Sequence, residues 1–187
     1  MKRGNKKIFN EFVYAIKQDP HRYFYIKSTL LKFKENEIDI NTQMDQGRTL
    51  LHLAVKINDL KLLNVFIKSG INLNLADDLG DTPLHKAVRE NKLALVKALI
   101  NGGCDVNLGT ELEQSPLHLA VINGNLEFVK YLVEHGADIL LLDEKNNLPI
   151  DYAIDEKDIK IVKYFLSKQK VDGDRLLRLK EILKKSG

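Results

Sequence analysis

The sequence predicts an all-α solenoid in which helix-turn-helix units stack in a line and are joined by hairpin-like loops. Three observations lead to this. Four segments, TLLHLAV from Thr49, TPLHKAV from Thr82, SPLHLAV from Ser115 and LPIDYAI from Leu148, align at a constant interval of 33 residues, and a fixed period of this kind marks stacked copies of one unit. Each is followed by a second segment, LKLLNVFIK, LALVKALIN, LEFVKYLVE or IKIVKYFLS, apolar at i, i+3, i+4 and i+7, as an amphipathic helix with one buried face requires. Gly70, Gly103 and Gly136 then close the first three units, where a helix commonly ends on a left-handed residue.

Taken in chain order, the opening unit departs from the pattern. The period extrapolated upstream puts its stripe alanine at His21, whereas the matching residue is Ala15. This unit therefore carries about six extra residues, expected as a longer second helix from about Arg22 to Glu35. In the units that follow, Thr49, Thr82 and Ser115 stand where a hydroxyl can accept a bond from an otherwise unpaired amide. Pro83, Pro116 and Pro149 come next, at the first helical position, where a missing N–H costs nothing. Leu51, Leu84, Leu117 and Ile150, with Ala54, Ala87, Ala120 and Ala153 three residues later, form an apolar stripe kept thin by alanine so that neighbouring units can approach. The turn between the two helices falls on Asn58, Asn91, Gly124 and Lys157, three of them residue types that tolerate a left-handed backbone. INLN, CDVN and ADIL, with Gly47 or Gly80 in the polar stretches between units, read as extended loops.

In the last unit Leu148, Asp151 and Lys157 replace the pattern residues, which marks a degenerate closing repeat. DGDRLLRLKEILKK follows, with Asp172 or Asp174 as a cap and Leu176, Leu179, Ile182 and Leu183 as one apolar face that would shield the last repeat. The expected organisation is a single array over 1–187. It comprises an atypical N-terminal capping repeat (1–43), full repeats (44–76, 77–109 and 110–142), a degenerate repeat (143–169) and a capping helix (170–187).

Composition narrows the class of protein. A chain of 187 residues that is 44% apolar with one cysteine fits a soluble intracellular protein, because a single thiol cannot form an internal disulfide. Cys104 is read as a small packing residue. No stretch approaches the roughly 18 apolar residues of a membrane span, and the first twenty residues lack an uninterrupted apolar core of the signal-peptide kind. The expected location is cytoplasmic. The net charge of +3 is unevenly spread. Residues 1–34 hold nine Lys or Arg against two acids, and 168–187 hold seven against three, so the middle carries −8. Local fields, not the net value, then govern partner choice.

TPLHKAV, the helix after it, Gly103 and CDVN together resemble the ankyrin repeat, over roughly residues 37 to 167. The resemblance implies a gently curved stack with a concave side made of the hairpin loops and first helices. It further implies non-catalytic protein binding, as an adaptor or an inhibitor that occupies a partner's surface. Ankyrin-like proteins also serve intracellular bacteria and large viruses as effectors acting on host proteins, and such a chain would be delivered into a host cell.

His52, His85 and His118 recur at one offset. Equivalent residues of stacked helices lie about 8 to 10 Å apart, whereas ligands sharing a zinc lie about 2 Å from it, so the three do not share a metal. The resemblance makes them structural hydrogen-bonding residues. With no Ser–His–Asp arrangement, phosphate loop or zinc spacing, the expectation is no enzyme, cofactor, metal or small-molecule substrate.

Residues outside the structural positions are free to bind. On the tips these are Asp45, Gln46 and Arg48; Asp77, Asp78, Leu79 and Asp81; Glu111, Leu112, Glu113 and Gln114; and Asp143, Glu144 and Lys145. On the first helices they are Lys56 and Ile57, Arg89 and Glu90, Ile122 and Asn123, and Asp155 and Glu156. An acidic rim with a few apolar anchors suits a protein partner with a basic surface; the other reading is that the acids keep a monomeric array in solution. Residues 1–34 also hold seven of the thirteen aromatics among basic residues. Such a region can stack nucleic-acid bases, or it can pack as a terminal cap, with Phe9, Phe12 and Ile16 on one face and Phe24, Lys27 and Leu31 on another. KRGNKK reads as a nuclear import signal or a solvated tail.

Overall fold

Each repeat folds around two short helices whose ends are set by local chemistry, and a computed structural model describes the chain over residues 3–168. Its elements are α1 (Arg3–Gln18), α2 (Tyr23–Glu35), α3 (Leu50–Lys56), α4 (Leu60–Lys68), α5 (Pro83–Arg89), α6 (Leu93–Asn101), α7 (Pro116–Ile122), α8 (Leu126–Glu134), α9 (Pro149–Asp155) and α10 (Ile159–Ser167). Among the described residues there is no strand. The closing helix expected over 170–187, with its cap at Asp172 or Asp174, lies outside the described residues.

First helices begin at the predicted caps. The hydroxyls of Thr82 and Ser115 accept from the backbone N–H of His85 and His118, and Pro83, Pro116 and Pro149 open α5, α7 and α9. Three-residue connections lead to the second helices, and their middle residues, Asn58, Asn91, Gly124 and Lys157, all adopt a positive φ. Asp59, Asn125 and Asp158 then cap α4, α8 and α10 through their side chains. Within each repeat the two helices pack on one another, and along the stack α3 contacts α5, α5 contacts α7 and α7 contacts α9, while α4 lies between α2 and α6. Leu51, Leu84 and Leu117 are fully buried with Ala54, Ala87 and Ala120, so the thin stripe is the seam between first helices.

The opening unit is longer for the expected reason. Helix α2 has 13 residues against 9 in α4, which takes up four of the extra positions; the end of α1 and the connection before α2 take the rest. Phe9, Phe12 and Ile16 are buried together with Ile26, Leu30 and Phe33, and the Phe12 ring meets Phe33 edge-on at 4.9 Å. This aromatic cluster caps the stack. The second expected packing face is corrected: Phe24 and Leu31 are 88% and 65% exposed, because the helix turns Ile26, Leu30 and Phe33 inward instead.

Just past the helix ends, two residues hold left-handed conformations where their repeat mates are better suited. Glu37 has φ 55° at the position of Gly70, Gly103 and Gly136, and Lys157 has φ 57° at that of Asn58, Asn91 and Gly124. A side chain in this region is strained, so Glu37→Gly and Lys157→Gly are each expected to stabilise by about 0.5–1 kcal/mol net of the added freedom of the unfolded chain. Urea denaturation midpoints measure the gain.

Candidate functional site

The tips are built by carboxylates and hydroxyls that fold back on their own backbone. Asp77 Oδ1 accepts from the amides of Leu79 and Asp81 at 2.9 and 3.1 Å, and Asp143 Oδ1 accepts from those of Lys145 and Asn147, both at 2.9 Å. Thr110 Oγ1 does the same for Leu112 at 3.3 Å. Each is a side-chain-closed turn. Consecutive tips are then stitched by single backbone bonds: Asp78 N to Gln46 O at 3.1 Å, Glu111 N to Leu79 O at 3.5 Å and Glu144 N to Leu112 O at 3.1 Å. The side chains beside these bonds fall into one row along the stack.

Histidines hold the row to the helices. His52, His85 and His118 donate from Nε2 to the carbonyls of Asp81, Gln114 and Asn147 in the next tip, at 2.8, 3.1 and 3.2 Å. Their Nδ1 atoms accept from the amides of Thr49, Thr82 and Ser115 at 3.1, 3.2 and 3.1 Å. A carbonyl only accepts, so the proton sits on Nε2. Burial lowers the pKa of all three, that of His85 to about 4, and the rings are neutral at pH 7. With both nitrogens committed, the rings are structural, as expected. At the last repeat Asp151 replaces the histidine; its carboxylate accepts from Leu148 N at 2.8 Å and cannot donate onward to a carbonyl. Among the described residues no group of His, Cys, Asp or Glu could hold a metal, and burial pushes the Cys104 thiol up to about 12.

Of the residues read as free, Arg48 and Asp77 are half-buried, Asp77 as a turn-closing acid, and the others fall into three groups. Exposed along the row are Asp45, Gln46, Asp78, Leu79, Glu111, Leu112, Glu113, Glu144 and Lys145, with Leu79 at 67% and Leu112 at 53%. Exposed on the first helices are Lys56, Arg89, Ile122, Asn123, Asp155 and Glu156. The third group is engaged by the fold. Asp81 and Asp143 are 5% and 3% exposed, which corrects their reading as open tip acids: Asp81 accepts from Arg89 Nη2 at 2.9 Å, and Asp143 also accepts from Tyr152 Oη. Gln114 donates to Tyr152 Oη at 3.2 Å, Ile57 packs partly against the core, and Glu90 pairs with Lys86 and Lys92.

The first tip and first helices converge on a groove of about 470 Å³. Asp45, Gln46, Arg48, Lys56, Asp77 and Glu90 line it, and so do Lys17, Met44, Leu53 and Lys86. The groove is mixed in charge, whereas the tip row from Asp78 to Glu144 is acidic. Lys86 and Tyr152 were missed in the sequence. Both occupy one offset of the first helix, three residues before Arg89 and Asp155 on the same helical side, and that spacing could have found them. Compared with known proteins, the chain matches a family model described as ankyrin repeats (3 copies) over residues 12–110 and 88–175. No curated protein matches it.

Proposed function

The chain belongs to the ankyrin-repeat family, and from that premise we propose that it is an adaptor or inhibitor that binds a partner protein across its tip row and the adjoining first helices. Ankyrin repeats are in general protein–protein interaction modules and typically non-catalytic. Among the described residues no helix is long and apolar enough to cross a membrane. One observation carries the reading: Leu79 and Leu112 stand exposed in consecutive repeats between Asp78, Glu111 and Glu144, on backbone already tied down by the tip-to-tip bonds. Such anchors lose little freedom on binding. Apolar anchors flanked by one sign of charge favour a partner surface of basic residues around a small hydrophobic patch. Tip-row binding of this kind needs only a monomer, and an effector working in a host cell would use the same surface.

Of the seven aromatics behind the nucleic-acid reading, Phe9, Phe12 and Phe33 are buried and cannot stack on bases, whereas Tyr14, Phe24 and Tyr25 are exposed, and the protein-binding reading is preferred on the anchors of the tip row. The test is affinity capture with the intact chain beside the triple variant Asp78→Lys, Glu111→Lys, Glu144→Lys. Any protein held by the first is expected to bind the variant at least about tenfold more weakly. Equal retention by both, with the fold intact by circular dichroism, would remove the tip row from the interface.

A further inference from the structure

The outward face of α2 differs from that of every other second helix among the described residues. At their exposed positions α4 carries Lys61 and Lys68, α6 Ala94 and Asn101, α8 Glu127 and Lys130, and α10 Lys160 and Lys163. None of these four helices has an exposed aromatic, and Leu60 at the start of α4 is their one exposed leucine. Helix α2 instead exposes Phe24 and Leu31, which are seven residues apart and so share one side. Beside Leu31 a groove of about 570 Å³ opens between α2, the loop that follows it and the end of α4. Its apolar lining includes Leu30, Leu31, Ile40 and Val65, and its rim carries Lys27, Lys34 and Lys68. None of these lysines forms an ion pair with another described residue. The one acid in the lining, Asp39, already accepts from the Asn41 amide at 2.8 Å.

We propose that this groove docks an acidic segment of a partner protein, with an apolar side chain entering beside Leu31 and Ile40 and carboxylates meeting Lys27, Lys34 and Lys68. Charge selects this occupant. The chain's own residues 168–187 hold seven Lys or Arg against three acids and would be repelled. The volume falls within the range of about 300 to 1,000 Å³ typical of ligand-sized recesses, and a helix or extended strand laid into an apolar groove is a recurring recognition mode. The apolar floor lies below the lysine rim, with Leu30 and Phe33 buried, which suits an inserted side chain better than the flat surface of a bilayer. This face lies on a second helix and the tip row on the hairpin loops, with opposite signs of charge, so a chain using both would bridge two partners.

The test uses the full chain and a fluorescein-labelled amphipathic helix of leucine, alanine and glutamate, with a counterpart in which lysine replaces glutamate. Fluorescence anisotropy is expected to show the acidic helix bound at least about tenfold more tightly than the basic one. Lys27→Glu with Lys34→Glu, and separately Leu31→Asp, are expected to weaken it by about tenfold or more. Asp78→Lys with Glu111→Lys should leave it unchanged, which separates this site from the tip row. All four positions in the groove and tip variants that carry charge are exposed, and thermal melts confirm that the variants fold. No binding of the acidic helix, equal binding of the basic one, retention in both groove variants, or tighter binding to phosphatidylserine vesicles than to the acidic helix would each overturn the proposal.

Discussion

Acidifying the protein from neutral pH to about pH 4.5 is expected to remove several kcal/mol of stability, because burial lowers the pKa of three histidines in the fold and the unfolded chain takes up protons ahead of the native one. The pKa of each is lowered from the ordinary 6.5, first of all by burial, that of His85 to about 4. As pH falls through this window the unfolded state binds more protons than the native one, so stability drops with pH and returns above 6.5. At about 1.4 kcal/mol per unit, His85 contributes about 3 kcal/mol across the full interval, and His52 and His118 add in the same direction. The depressed carboxylates Glu90 and Asp143 act below their ordinary values of 4.5 and 3.8, so the loss above pH 5 belongs to the histidines. Urea midpoints taken across pH 7 to 4.5 measure the slope. In His85→Leu the slope should shrink, while stability at pH 7 falls by about 2 to 4 kcal/mol because the Thr82 amide and the Gln114 carbonyl lose their partner. A stability that stays flat between pH 7 and 5 would contradict the neutral, doubly bonded histidines.

The same histidines show why the fold was legible and the surface only partly so. Every feature that repeats every 33 residues carries its own control: Thr82 and Ser115 cap, Ala87 and Ala120 pack and His85 and His118 link because three or four copies do one physical job at one place. Positions without a repeat mate lose that control. Phe24, Lys27 and Leu31 share a helical side, which reads as a packing face, yet nothing in the sequence says which side of an end unit meets its neighbour. Ile26, Leu30 and Phe33 are an equally good stripe, and the neighbouring α4 selects them. On the tips, composition alone could not separate an acid that folds the turn from one that faces solvent. Asp77 and Asp143 bond to amides two and four residues ahead, and Asp81 lies against Arg89, whereas Asp78 and Glu144 are exposed. The separating signal is position within the turn, visible when Asp77, Thr110 and Asp143 are aligned as one column of turn-closing oxygens.

Replacing Gly80 by alanine is expected to cost about 3 kcal/mol and to disrupt the tip row at its centre. Two terms add here. Gly80 has φ +72°, so any side chain incurs left-handed strain of roughly 1 to 2 kcal/mol. A Cβ would also stand 2.4 Å from the Glu111 amide nitrogen and 2.8 Å from the Thr110 carbonyl carbon, backbone atoms that can yield only if the two tips part. Forced overlap of this kind costs about 1 to 3 kcal/mol more. Gly70→Ala separates the terms, because Gly70 has φ +78° with nothing within 4 Å of the added atom and should lose only the strain. Glu113 and Asn146 carry side chains at the equivalent position of the later tips, so the close approach belongs to the first two junctions, at Gly47 and Gly80. Parting the second junction breaks the bond from Glu111 N to Leu79 O and moves Leu79 away from Leu112. Gly80→Ala should therefore weaken a tip-row partner out of proportion to Gly70→Ala at a temperature where both remain folded. Equal affinities for the two variants would show that the spacing of these two leucines does not matter to binding.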